Sequence, residues 1–279
     1  LVEDGIVDGW DDPRLPTLRG LRRRGYPAEA IKEFCSYIGV SRANSRHQIE
    51  LLESFVRQHL NATAQRKMAV LNPLRLVITN WPEGAVNKVE VVNNPENSDD
   101  GTRLVPFTGE LFIEQDDFRA DPPPKYFRLT PGREVRLRGA YFVTCTGFDV
   151  DDAGTPTTVY ATYDSETRGG NAPDGRKVKS TMHWVSAEHA VSGSAALYER
   201  LFSTEVPGAE TGDPMIDLDP NSVSILDNCM FEPSIADLAP GEVVQFERLG
   251  YFAHDPRTQL LFHRTVGLRD EWARIQQRG

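Results

Sequence analysis

The sequence predicts a mainly β protein preceded by a small helical unit. After Met68, Pro and Gly punctuate short runs rich in β-branched residues, and these runs do not alternate with helical ones as βαβ units would. Before Met68, two segments repeat apolar residues at helical spacing. Many short strands with frequent turn signals read as barrels or sandwiches.

The chain opens on a stretch that sets acids against five arginines, DGWDDPRLPTLRGLRRRGY (8–26). The first helix is predicted in PAEAIKEFCSYIGV. Pro27 suits a first helical turn, Ile31, Phe34, Cys35 and Ile38 recur on one face, and Gly39 is a C-terminal stop. The second is predicted in NSRHQIELLESFVRQHLN, ending near Asn61. There Ser45 and Gln48 have the spacing of a capping box, and Ile49, Leu52, Val56 and Leu60 form the buried stripe. The predicted strand runs are LRLVITNW, NKVEVVNN, RLVPFTGELFIE, REVRLRGAYFVTCTGFDV, TTVYATYD, KSTMHWVSA, NSVSIL, EVVQFERLGYFAHD and LLFHRTVGL. DDAGT (151–155) reads as a hairpin turn, and EVPGAETGDP (205–214) as a solvated loop. No internal repeat of fixed period is present.

Composition narrows the class. A 279-residue chain with 39% hydrophobic and 26% charged residues is ordinary for one large or two smaller globular domains. A net charge of -10 argues against indiscriminate nucleic-acid binding but leaves room for a local basic track. No apolar run approaches the roughly twenty residues of a membrane-spanning helix. The first residues show no secretory pattern and no initiator Met, so the expectation is a piece of a longer cytoplasmic protein. Cys35, Cys145 and Cys229 form no CxxC pair, which points to reduced thiols rather than a disulfide framework or a zinc site.

The chemistry of the chain is that of binding. It lacks GxxxxGK[ST], GxGxxG after a strand, HExxH and GxSxG. His183 and His189 miss the helical metal-pair spacing and are read as structural. No pair of carboxylates is placed for acid/base work. Two strand stretches stand out. In REVRLRG, Val135 and Leu137 point one way while Glu134, Arg136 and Arg138 point the other. Two guanidinium groups on one face suit phosphate or base edges, although the stretch alone favours a solvated, salt-bridged face. In VVQFERLGYF, Val244 and Phe246 suit a core, and Gln245 shares the opposite face with Glu247. An amide offers both the donor and the acceptor that a base edge demands. Strict alternation would turn Arg248 inward, so a bulge is needed to expose it.

The phrases GWDDPRLPTLRGLRRRGY, FCSYIGVSRAN, RKMAVLNPLRLVI, VPFTGELFIE, REVRLRGAY, DGRKVKSTMHWVSA, YERLF, VVQFERLGYF and HRTVGLRDEW together resemble the glutaminyl-tRNA synthetase family, in that family's order and over essentially the whole chain. The resemblance implies the C-terminal half of a class I synthetase: a helical connector over 1–62 that meets the inner side of the tRNA, then two anticodon-binding β-barrels over 63–279, the proximal one discontinuous. It implies anticodon contacts at Arg66, Arg128, Arg136, Arg138, Gln245 and Arg248, and an inner-corner contact at Arg42. The agreement at Arg136, Arg138 and Gln245 overturns the solvated-face reading of REVRLRG. Both ATP signatures lie outside the chain, so ATP with Mg is expected for the parent enzyme only, and the chain alone is expected to be catalytically inactive. The implied partner is tRNA(Gln), bound by a monomer, with no DNA and no membrane. The rival readings are a glutamyl-tRNA synthetase of the archaeal/eukaryotic type and an interaction module that kept the barrels; FCSYIGV and QFERLGYF favour the glutaminyl branch. Departures fall at Lys125 and Phe127 in KYFR, at Glu96 in NNPE, and at Arg42-Ala43, where the family has a Lys-Gln pair.

The opening arginines are then expected where an RNA limb passes. Arg14, Arg19, Arg22, Arg23 and Arg24 are each open to a phosphate contact or a structural ion pair. Asp8, Asp11 and Asp12 are expected to balance some of them.

Overall fold

The computed structural model describes residues 1–42 and 45–276. Its residues fall into two compact units. The first comprises residues 1–65, 194–227 and 238–279, and the second residues 66–193 and 228–237.

In the first unit three helices pack on a sheet. Helix α1 (Leu18–Arg23) lies inside the arginine stretch, where no helix was predicted; the Thr17 hydroxyl caps it by accepting from the Gly20 N–H at 2.9 Å. Helix α2 (Ala28–Ile38) ends at Gly39, whose φ of 70° is one that glycine adopts at little cost. Pro27 is its N-cap rather than its first helical residue. Helix α3 (Ile49–Thr63) starts after Gln48, and no side chain caps it. The predicted capping box does not form, because the Ser45 hydroxyl lies 3.0 Å from His47 Nε2 instead. The stripe is as expected: Leu52, Val56 and Leu60 pack with Leu21, Tyr26, Ala30, Tyr251 and Val266 in one buried cluster. Each such aliphatic side chain contributes about 1.5–3 kcal/mol on full burial.

The sheet beneath runs Val243–Phe246, Gly250–His254, Leu261–Val266, Val191–Tyr198 and then Val223–Phe231. Neighbours are antiparallel across the first two junctions, and Val191–Tyr198 joins Leu261–Val266 in parallel. Val191–Tyr198 (VSGSAALY) was not predicted, since Ser, Gly and Ala dominate it and give no β signal. A short helix α4 (Glu271–Gln276) follows the last strand. No described helix is long and apolar enough to cross a membrane.

The second unit is a barrel-like sheet of seven strands, in the order Thr181–Met182, Glu134–Leu137, Phe142–Val150, Pro156–Asp164, Pro73–Ile78, Glu110–Glu114, Val185–Ser186. Its two edges are consecutive in the chain, separated only by His183 and Trp184. A separate hairpin pairs Asn87–Val92 with Thr102–Phe107. Trp81, Phe107, Tyr141, Tyr163 and Trp184 meet at centroid distances of 4.8–5.9 Å in the core between them. The predicted DDAGT turn is present: Asp151 N–H donates to Thr155 O at 2.9 Å, and the Asp151 carboxylate accepts from Ala153 and Thr155. His183 is buried, 3.5 Å from Glu114 Oε1, and His189 Nδ1 meets the Ser186 hydroxyl at 3.1 Å.

Candidate nucleic-acid interface

Val244 and Phe246 are fully buried, so strand alternation turns Gln245 to the other face. Its half-buried amide makes no hydrogen bond to a described residue and lines an open groove of about 550 Å³. Helix α3 supplies Ser54, Arg57, Gln58 and Asn61 to the same groove, a spacing that places all four on one helical face. Tyr251 lies opposite Gln245 in the ladder, and its hydroxyl reaches Asn61 Oδ1 at 3.4 Å. Arg248 is exposed, although not through the expected bulge. The strand stops at Phe246, and Arg248 takes φ 69° in the turn that leads to Gly250. That left-handed conformation costs a non-glycine residue about 1–2 kcal/mol.

The opening arginines divide by partner. Arg14 grips Asp12 with two bonds of 2.8 and 3.0 Å and also reaches Ile6 O and the Ser222 hydroxyl. Burial alone would raise the Asp12 pKa, but these bonds outweigh it and hold the carboxyl below its ordinary range. Arg23 pairs with the buried Asp255 at 3.0 Å, and Arg257 reaches Asp11. Asp255 also accepts from His263 Nε2, which fixes the tautomer, so His263 Nδ1 accepts from the Tyr198 hydroxyl at 2.6 Å. Burial pushes the His263 pKa down despite Asp255, which keeps the ring neutral. Arg24 donates Nε to Arg264 O at 3.2 Å and lies over the Tyr198 ring at 5.2 Å. Arg19 and Arg22, three apart on α1, are exposed and have no ion-pair partner among the described residues. Arg42 is exposed after α2, and Ala43 lies outside the described residues.

In the second unit Val135 and Leu137 are fully buried, while Glu134 and Arg136 share the other face of Glu134–Leu137. Arg138 lies one residue past the strand, beside the turn closed by Leu137 N–H to Tyr141 O at 2.8 Å. The main-chain N–H groups of both arginines are held by the neighbouring segment, at Ser180 O and Met182 O. Arg136 stacks its guanidinium over Phe142 at 5.3 Å. Its Nε is buried without an acceptor among the described residues, the kind of orphaned donor that an incoming ligand satisfies. Gly170, at φ 84°, is what makes room for it, because a Cβ there would lie 3.0 Å from Arg136 Cδ. Glu134 does not compete for Arg136, because Arg176 binds it with two bonds of 3.0 Å and also binds Asp164 and Asp174. Arg128, 43% exposed, donates to Asp116 O at 3.1 Å and lies 3.3 Å from Asp117. Beside it, Phe127 is 47% exposed, with the Lys179 ammonium 5.0 Å from its ring centroid. Arg66 is only 4% exposed, the least accessible of the six expected anticodon residues. Glu96 is exposed in a loop that satisfies itself, its N–H bonded to Asn94 Oδ1.

The sequence reading missed Arg57, Gln58, Asn61, Lys179 and Arg176. The α3 residues were detectable as a polar face opposite the apolar stripe. Lys179 and Arg176 acquire meaning only once Thr181 is known to pair with Arg136.

Residues 64–164 and 181–255 match family models described as tRNA synthetases class I (E and Q), anti-codon binding domain, and residues 1–62 match the catalytic-domain model of the same group. Part of the catalytic domain is therefore present in the segment read above as a connector. The chain is 52% identical to the glutamine–tRNA ligase of Nitrobacter winogradskyi, covering all of this chain and 50% of the relative. It is 49% identical to that of Rhodopirellula baltica, covering all of this chain and 47% of the relative. For Clostridioides difficile the figures are 45% identity, 98% of this chain and 50% of the relative. The chain thus spans about half the length of the curated relatives it matches. It belongs to the class I tRNA synthetases of the E and Q group and carries their anti-codon binding domain.

Proposed function

We propose that the chain is the anticodon-reading half of a glutamine–tRNA ligase that joins glutamine to tRNA(Gln) with ATP in the cytoplasm. The E and Q models alone leave glutamate open; the glutamine–tRNA ligase relatives, matched along the whole chain, favour glutamine. The observation that carries the reading is the uncommitted amide of Gln245 in its groove, beside a turn that exposes Arg248. A base offering a complementary edge satisfies that amide, whereas a wrong base leaves buried donors unpaired, at about 1–3 kcal/mol each. Arg136 and Arg138 are the second reading element and Arg128 the third. Arg66 joins them only if RNA binding uncovers it. ATP is assigned to the whole protein alone: this chain has no glycine-rich phosphate loop, and its residues do not fit the nucleotide.

The test is equilibrium binding of the chain, acting as a monomer, to tRNA(Gln) and to tRNAs changed at single anticodon positions. Preference for the glutamine anticodon is expected, with Gln245→Ala relaxing it at one position. Equal affinity for all of these tRNAs would refute the proposal.

A further inference from the structure

A second groove of about 540 Å³ in the first unit is lined by Arg24, Arg57, Arg248, Arg264 and Arg269, against three glutamates. In a chain of net charge -10 this is a local reversal of sign. Three of the guanidinium groups are anchored on main-chain carbonyls: Arg24 on Arg264 O at 3.2 Å, Arg57 on Gly267 O at 2.8 Å, and Arg264 on Tyr198 O at 3.0 Å. A carbonyl fixes the direction of a guanidinium without cancelling its charge, which a carboxylate would do. Exposed carboxylates also approach two of them, Asp270 at 3.4 Å from Arg57 and Glu199 at 2.8 Å from Arg264, where solvent screens the pairing. Glu53 is half-buried beside Arg24, Arg57 and Arg264; burial raises its pKa, and the arginines pull it the other way. Arg57 and Leu268 also line the Gln245 groove, so the cationic groove continues the amide groove.

We propose that this arginine groove is the seat of the phosphodiester backbone of the nucleotide whose base enters the Gln245 groove, with Arg24, Arg57, Arg264 and Arg269 as phosphate-contacting residues. The proposal rests on the anticodon-reading function above. Neutral amides then select the base while pre-aimed guanidinium groups position the backbone, the usual division between specifying and positioning contacts. Arg269 is exposed and has no ion-pair partner among the described residues, so it is the residue to remove without disturbing the fold.

The experiment measures affinity of the chain for an anticodon stem-loop RNA by fluorescence anisotropy between 50 and 200 mM salt, for the wild type, Arg269→Gln and Arg57→Gln, with thermal melts to verify folding. Each variant is expected to flatten the log affinity against log salt plot by about 0.7–0.9 for a lost phosphate contact, and Arg269→Gln, which lies outside the Gln245 groove, to leave the anticodon preference unchanged. An unchanged slope in both folded variants overturns the seat. A wild type that binds without anticodon preference overturns the function above, while the slopes still report on the groove. Inorganic pyrophosphate, titrated alone, separates the other source of the same chemistry. If its binding is lost in Arg269→Gln while the RNA slope stays unchanged, the groove holds a free anion and the backbone assignment fails.

Discussion

Replacing Arg23 by Met removes the cationic partner of a carboxylate that has no access to water. The Asp255 side chain is 0% exposed and lies 3.0 Å from Arg23. Burial by itself would raise its pKa. His263, the main-chain N–H groups of Arg257 and Thr258, and Arg23 together reverse that and pull it to about 2. Against the ordinary 3.8 this is on the order of 2 kcal/mol of net preference for the ionised form. Removing one member of a buried pair costs about 3–5 kcal/mol when the other is left bare. Asp255 keeps three donors, so the loss is expected at the lower end, about 3 kcal/mol. For a domain of this size that lowers the melting temperature by about 6–12 °C. Differential scanning calorimetry at pH 7 is the assay, with Arg22→Ala as the exposed control, expected within about 0.5 kcal/mol of wild type. Acid supplies the sign. A carboxyl with a depressed folded pKa stabilises above its unfolded value and loses that contribution as pH falls through the folded one. The gap between wild type and Arg23→Met therefore narrows from about pH 4 towards pH 2. A loss under 1 kcal/mol, or a gap that does not narrow on acidification, refutes the ion-pair reasoning.

Arg136→Ala is expected to cost about 1–3 kcal/mol of tRNA binding and to relax discrimination at one anticodon base; a uniform loss across tRNAs differing at the first anticodon base would make it a positioning residue only. Gly170→Ala imposes a φ of 84° on a residue with a Cβ and pushes that atom against Arg136, so it should destabilise by about 1 kcal/mol or more and blunt the same discrimination, read by urea unfolding and by tRNA binding. Arg248→Gly should hold or raise stability by up to about 1 kcal/mol while weakening RNA binding, since it relieves a left-handed residue and deletes a guanidinium; a drop in stability would show that its side chain supports the fold.

What could be read in advance follows the range of the interactions. Strands rich in Val, Ile and Thr announced themselves, and the α3 stripe did so by periodicity. Gln245 was found by alternation because two buried neighbours fix its direction. Val191–Tyr198 is held by its ladder partners rather than by propensity, and the six residues of α1 are too few for periodicity to register. Arg248 departs from the expected bulge because the strand ends first, and a turn then sets its side chain. The roles of Arg23 and Arg24 depend on partners 232 and 240 positions away, which no local pattern contains.

The second unit's sheet begins at Thr181–Met182 and ends at Val185–Ser186, with two residues between. Those few residues act as a clasp. A sheet closed in this way leaves its outermost strands tied to each other by the chain, which limits recruitment of a foreign strand to an edge. The clasp also couples distant registers: Thr181 aligns with Arg136 while Val185 aligns with Phe112. One residue inserted at His183 lengthens a link of only two residues. It must slip the pairing beside Arg136 or the pairing beside Phe112, and a one-residue slip turns every side chain on that edge to the opposite face. The Ser180 carbonyl that holds the Arg136 N–H is thus placed by chain length at a point that need never meet RNA.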